Sequence, residues 1–220
     1  MKILALDFSS AQRSAAVLID GNTAAGEAVD ASPGREMKPF ALIEAALRQA
    51  GLERETIEGI VVGIGPGSYA GIRVAIALAQ GWQLATGVKL RGISSVAGLA
   101  AQVVEAGVSG RFSVVIDAQR GELYHAGFET HNRAARETSA LKLATVAEVQ
   151  ASQRADETLV GPEVTRWFPG GRIMFPGAAA LGRQAQWGGA TGSGEPLEPI
   201  YLRETTFVKA PPSRPLPLAS

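Results

Sequence analysis

The densest run of residues that could do chemistry is Gly63-Ile64-Gly65-Pro66-Gly67-Ser68-Tyr69-Ala70-Gly71-Ile72-Arg73. Its glycines leave an apolar run and open a helix-forming one, and a turn of that kind aims free backbone amides at an anion. Gly65, Gly67 and Ala70 satisfy the dinucleotide spacing G-x-G-x-x-G/A. That chemistry also needs an acidic residue about 20 positions on to hold a ribose, and no Asp or Glu lies between Arg73 and Glu105. A Walker loop fails because no Lys-Ser/Thr follows the glycines. A nucleophile elbow fails because Pro66 and Ala70 stand where Ser68 would need glycines. Two readings stay open: contact with a ligand or partner, or a tight passage beside a neighbouring strand that glycine alone allows. Because Gly65 and Gly67 bracket a proline, one or both are expected at positive φ.

Asp7 and Asp117 each end a short apolar run, where a carboxylate can hold magnesium-bound water or orient a nucleophile, as in sugar kinases and actin-type ATPases. Those enzymes also carry a glycine turn after the first Asp, and Phe8 to Arg13 contains none. A glycine pair for adenosine is missing too, because Gly161 after Val160 is followed by proline. Asp7, Ser9, Ser10 and Asp117 therefore read as a vestigial phosphate site or as turn-formers, and ordinary ATP turnover is not expected. The two histidines, His125 and His131, sit six apart from a start inside a strand and share no ligand face, so no metal is expected. Arg120 and Tyr124 flank a polar turn and could touch a ligand, although a cross-strand aromatic explains Tyr124 equally well.

These residues need a scaffold, and 220 residues make one large domain or two small ones. With 21 basic and 21 acidic residues the net charge is zero, so no bulk field draws the chain to phosphate backbones or anionic membranes. There are no cysteines, which removes disulfides, thiolate metal sites and cysteine nucleophiles. The apolar run before Asp7 is too short for a signal-peptide core, and no other run reaches membrane-span length, so a cytoplasmic protein is expected. Lys2–Asp7, Ser14–Ile19 and Thr23–Val29 read as a meander turned at Asp20-Gly21-Asn22. Pro39–Ala50 and Gly71–Thr86 read as helices stopped by Gly51 and Gly87, with strands at Gly59–Ile64 and Val88–Ile93 and a helix over Ser94–Ala106.

The plan then restarts, because Phe112–Asp117 and Glu122–Glu129 repeat the first two strands. An internal duplication follows, with one lobe over residues 1–107 and a second over 108–209. The later part is less regular: a strand at Thr158–Val160 running into a turn and helix, a helix over Ala178–Trp187, a loop at Gly188–Gly194 and a strand at Glu198–Leu202. Residues 210–220 hold the proline-rich Ala210–Pro217 and are expected to be an extended tail.

Gly71–Thr86 carries one charge, Arg73, and is apolar on two sides: Ile72, Ile76 and Ala79 on one, Val74 and Leu78 on the other. Pro39–Ala50 is similar, with Phe40, Ile43 and Leu47 on one face. A surface helix needs one apolar stripe, so these eight residues are the expected partner-binding set, with the outward face left open.

Over almost its whole length the chain resembles the bacterial tRNA threonylcarbamoyladenosine biosynthesis TsaB (YeaZ) family. The resemblance is carried by Ile3–Asp7 with the serines after it, Gly65–Arg73, Ile116–Tyr124 and Glu198–Arg203. It implies an α/β, two-lobed actin-like (ASKHA, RNase H-like) fold, each lobe a mixed sheet with flanking helices and the second lobe reduced. It further implies a subunit without catalytic residues or cofactor. Such a subunit works with TsaD-like and TsaE-like proteins to move threonylcarbamoyl from threonylcarbamoyl-AMP to N6 of the adenosine beside the anticodon in tRNAs reading codons that begin with A. A homodimer is expected when the partner is absent, and tRNA is met only through the complex. The loop Gly65, Pro66, Gly67, Ser68, Tyr69, Gly71 and Arg73 would then be a ligand or partner contact. The rival classes are a stand-alone ATPase or kinase of the same fold and an M22-like peptidase, for which only Ser68 offers a nucleophile.

Overall fold

Alternation along the first strand decides the layers of the N-terminal lobe. Leu4, Leu6 and Phe8 face one side, Ile3 and Ala5 the other, and all five are buried. The computed structural model describes residues 1–20, 23–31, 37–185 and 197–203. In it β1 (Lys2–Asp7) pairs antiparallel with β2 (Arg13–Ile19) and parallel with β4 (Gly59–Gly63). With β3 (Thr23–Asp30) and β5 (Lys89–Ile93) the sheet runs β3-β2-β1-β4-β5. Helices α1 (Pro39–Ala50) and α2 (Tyr69–Thr86) cover one face. Both end as the sequence indicates, on Gly51 and Gly87 at φ 63° and 75°.

The second lobe repeats the order strand for strand. β6 (Arg111–Asp117) pairs antiparallel with β7 (Glu122–His131) and parallel with β9 (Thr158–Gly161). β8 (Ala134–Thr145) and β10 (Arg172–Ile173) are its edges, so the sheet reads β8-β7-β6-β9-β10. Helix α4 (Val146–Ser152) occupies the place of α1. Where the first lobe has the 18-residue α2, the second has only the 3-10 turn Val164–Arg166.

The last helix of each half crosses to the other half. From α3 (Ser95–Glu105), Val96, Leu99 and Val103 pack on Phe112 and Val114 of the second sheet. From α5 (Ala178–Arg183), Ala178 and Leu181 pack on Ile3, Ala5 and Leu18 of the first. The helices meet where Gly98 faces Leu181, and Arg183 holds Glu105 with two bonds of 2.9 and 2.6 Å. Burying Leu99 and Leu181 contributes roughly 1.5–3 kcal/mol each, so this shared layer joins the halves. The result is the two-lobed, mixed-sheet α/β architecture of the actin-like fold, reduced in its second lobe.

Several elements differ from the sequence reading. β8, α4 and β10 were not expected. The helix expected after Val160 is the single 3-10 turn Val164–Arg166, because Gly161-Pro162 and the parallel partner β10 leave no length for more. The helix from Ala178 stops at Arg183. Residues 198–202 form no strand: the Ile200 amide donates to the Ile64 carbonyl (2.9 Å), past the end of β4, as a single tie. The turn at Gly21-Asn22, the loop Gly188–Gly194 and the tail 210–220 lie outside the described residues.

Candidate functional site

Between the lobes opens a cleft of about 960 Å³, lined by the turn that follows β1 and by the end of β6 with the turn after it. At the ends of these two strands the duplication reaches atomic detail. Asp7 Oδ1 accepts from the Ser9 amide (2.9 Å), and Asp117 Oδ1 accepts from the Gln119 amide (2.7 Å), so each carboxylate closes a turn over the second residue after it. Asp7 is fully buried and also accepts from the Ser9 hydroxyl at 2.6 Å. Burial pushes its pKa up, against the downward pull of the Ser9 bonds and a smaller one from Ser95. Its Oδ2 has no partner at bonding geometry. Asp117 stands at the cleft wall and pairs with Arg166 at 3.3 Å. Beside it, burial first and the Asp117 charge second raise the Glu163 pKa.

The glycine loop fits against the first of these turns. Gly65 and Gly67 have φ 91° and 145°, as their placement around Pro66 indicates. The Ser68 amide donates to the Ser9 carbonyl at 2.6 Å. A Cβ on Gly67 would lie 2.0 Å from the Ser9 oxygen, and one on Gly71 would lie 2.0 Å from the Phe8 oxygen. The Ser68 hydroxyl, which caps α2, accepts from the Gly71 amide at 3.3 Å. Close passage beside β1 therefore accounts for both glycines, and the Ser68 amide is already engaged. Tyr69 faces the cleft, while Arg73 lies over the Tyr69 ring (5.2 Å) and donates to its hydroxyl (2.9 Å).

All three tyrosines of the chain, Tyr69, Tyr124 and Tyr201, line this cleft, together with Arg13, Arg120 and Arg203. Tyr201, Arg203, Arg13 and Glu163 were not expected there; only the chain's return over Ile64 brings the first two back. Neither histidine lines the cleft. His125 is buried on β7, its pKa lowered by burial, and His131 is exposed. Among the described residues no cluster of acidic, histidine or cysteine side chains could hold a metal, and no helix is long and apolar enough to cross a membrane.

The helices correct the expected docking set. Ile43, Leu47, Ile72, Ile76 and Ala79 are 0–6% exposed and belong to the core, because that side of each helix is the one packed on the sheet. Val74 and Leu78 are half-buried at its margin, and Phe40 is 68% exposed. The outward strip of α2 is Arg73, Ala77, Gln80, Gly81 and Leu84, with Leu84 90% exposed. Ala77 and Gly81 were legible in the sequence as a small-residue ridge of this helix, whereas Leu84 was missed, although its place seven residues after Ala77 was there to find.

Comparison with known proteins agrees with this architecture. The family model described as TsaD, tRNA N6-adenosine threonylcarbamoyltransferase, matches residues 38–180. The Escherichia coli protein named tRNA threonylcarbamoyladenosine biosynthesis protein TsaB is 26% identical over 232 residues, covering 97% of this chain and 100% of the relative. The Haemophilus influenzae protein of the same name is 29% identical over 125 residues, covering 56% of this chain and 52% of the relative. The solved structure of YeaZ from Pseudomonas aeruginosa superposes with a TM-score of 0.78 at 23% identity, over 91% of this chain and 99% of that one. A lobe order duplicated around a shared helical layer, a glycine loop seated on β1 and these likenesses converge: the chain belongs to the family that the threonylcarbamoyltransferase model describes, among its TsaB (YeaZ) members.

Proposed function

We propose that the chain is a non-catalytic, cytoplasmic scaffold subunit in tRNA threonylcarbamoyladenosine formation. It docks on a TsaD-like protein through the exposed face of α1 and α2, acts alongside a TsaE-like ATPase, and meets tRNA through the assembly. The observation that carries this reading is the outward strip of α2. A 90% exposed leucine at its end, Ala77 and Gly81 between and a single charge at Arg73 make a surface that a second helix can approach closely. A second copy of the chain would use the same face when the partner is absent.

The floor of the cleft supports a role without catalysis. An actin-type phosphate site needs open amides beside its first carboxylate, and here the Ser9 carbonyl and amide and the Ser68 amide are all bonded within the protein. Asp7, Ser9, Ser10 and Asp117 then act as turn-formers that hold the lobes' inner ends. Zero net charge is consistent with tRNA attraction arising from the complex. The test is reconstitution with purified TsaD, TsaE, tRNA, ATP and threonylcarbamoyl-AMP. Modification should require this chain and should continue with Asp117→Asn in its place. Modification that proceeds at full rate without the chain, or stops with Asp117→Asn while the variant stays folded and bound, would overturn the reading.

A further inference from the structure

Residues 197–203 cross the mouth of the cleft and grip both lobes. On the N-terminal side, Leu197 packs into the core beside Gly92, and the Ile200 amide donates to the Ile64 carbonyl at 2.9 Å. Tyr201 stacks on Tyr69 of α2, with ring centres 5.4 Å apart and planes 29° apart. Three residues after Ile200 the chain is fastened to the other lobe: Arg203 Nη2 donates to the carbonyls of Ala118 (3.1 Å) and Gln119 (3.4 Å) and to the Glu122 carboxylate.

The C-terminal anchor is unusual. Gln119, Arg120 and Gly121 have φ of 63°, 57° and 80°, and two of them are not glycine. Side-chain-bearing residues leave that region unless their surroundings hold them. Arg203 is one of the groups that does so, since it binds the carbonyl of the first strained residue and the carboxylate that follows the turn. The tether is also short. From Ile200 to Arg203 the main chain spans roughly 10 Å when extended, so the lobes cannot part by much while both ends hold. The two ends differ in kind: Leu197 packs against the apolar core, whereas the Arg203 side chain is 31% exposed and held by polar bonds that water can replace.

We propose that residues 197–203 are a latch that fixes the closed width of the cleft, with the Arg203 grip on the Gln119–Gly121 turn as its point of release. Because Tyr201 and Arg203 are themselves part of the cleft wall, opening the latch both widens the cleft and frees the Tyr69 ring from its stack on Tyr201.

The absence of cysteine gives a clean test. Gln80→Cys on α2 and Gln150→Cys on α4 place one exposed spin label on each lobe. Pulsed electron resonance should give one narrow distance distribution in the otherwise native chain. In the Tyr201→Ala/Arg203→Ala background it should give a broader and longer one, with the circular dichroism unchanged. Amide exchange at Gln119 to Glu122 should rise at least about tenfold in the same variant. Should the double variant not fold, Arg203→Ala alone decides by the same two readings. An unchanged distance distribution with unchanged exchange at the turn in a folded variant would overturn the latch, and so would loosening that spreads evenly through both cores.

Discussion

Gly71 and Gly81 lie on the same helix, and the same substitution should act on them with opposite sign. Alanine in place of a helical glycine ordinarily stabilises by about 1 kcal/mol. At Gly81, where an added Cβ meets nothing within 4 Å, that gain is expected. At Gly71 the Cβ would lie 2.0 Å from a backbone oxygen, so Gly71→Ala should destabilise by about 2 kcal/mol. Urea melts of the two variants check this, and a stabilised Gly71→Ala would show that β1 and the loop are not held in contact. His125 offers a second single-residue test. It is buried with Nδ1 unpartnered, and burial lowers its pKa below the ordinary 6.5, with Lys142 adding to the shift and Glu157 opposing it. A depressed imidazole pKa means that the fold prefers the neutral ring. Its contribution is therefore fully present above pH 6.5 and is lost as pH falls through the folded-state value. Melting temperatures taken from about pH 7.5 down to about pH 5 should decline, and His125→Leu should remove part of that decline. At this scale the positive φ of Gly65 and Gly67 was legible, because a proline between glycines leaves few conformations. The cleft positions of Tyr201 and Arg203 were not, because their neighbours are more than 80 residues away in the chain.

Strand β8 and helix α4 show two ways in which an element can be missed. Ala134–Thr145 is rich in Ala, Arg, Glu, Leu and Lys, which are helix formers, and it becomes a strand because β7 offers it a ladder along its whole length. Nothing local signals that pairing. The helix after it was also missed, although it carries a local signal: Thr145 and Glu148 form a reciprocal cap, with the Thr145 hydroxyl accepting from the Glu148 amide (3.2 Å) and the Glu148 carboxylate accepting from the Thr145 amide (2.7 Å). Thr145→Ala should cost about 1 kcal/mol, measured by thermal unfolding, and a neutral result would mean that α4 is held by Val149 packing alone. For α2 the sequence showed two apolar sides but not which one the sheet takes. The answer depends on the register of β1 and β4 beneath it, and the structure gives the sheet Ile72, Ile76 and Ala79.

For the whole molecule, the duplicated order of the sheets was legible from Asp7 and Asp117 ending like strands, and the exchange of α3 and α5 between lobes was not, since neither helix states which sheet it will cover. The engaged amides around Ser9 and Ser68 lead to a further expectation: calorimetry of the isolated chain with magnesium-ATP should show no micromolar binding, and a micromolar Kd would contradict the vestigial site. Docking through α2 remains the claim on which the functional account stands, and one paired measurement addresses it. Leu84→Glu places a charge on the outward strip, and Ile76→Glu places one in the core. By calorimetry and size-exclusion chromatography with purified TsaD, Leu84→Glu should keep its circular dichroism and lose at least about a hundredfold in affinity, or ~3 kcal/mol, because the charge must be desolvated without a partner. Ile76→Glu should fail to fold. If Leu84→Glu binds TsaD with the affinity of the native chain, the outward face of α2 is not the docking surface.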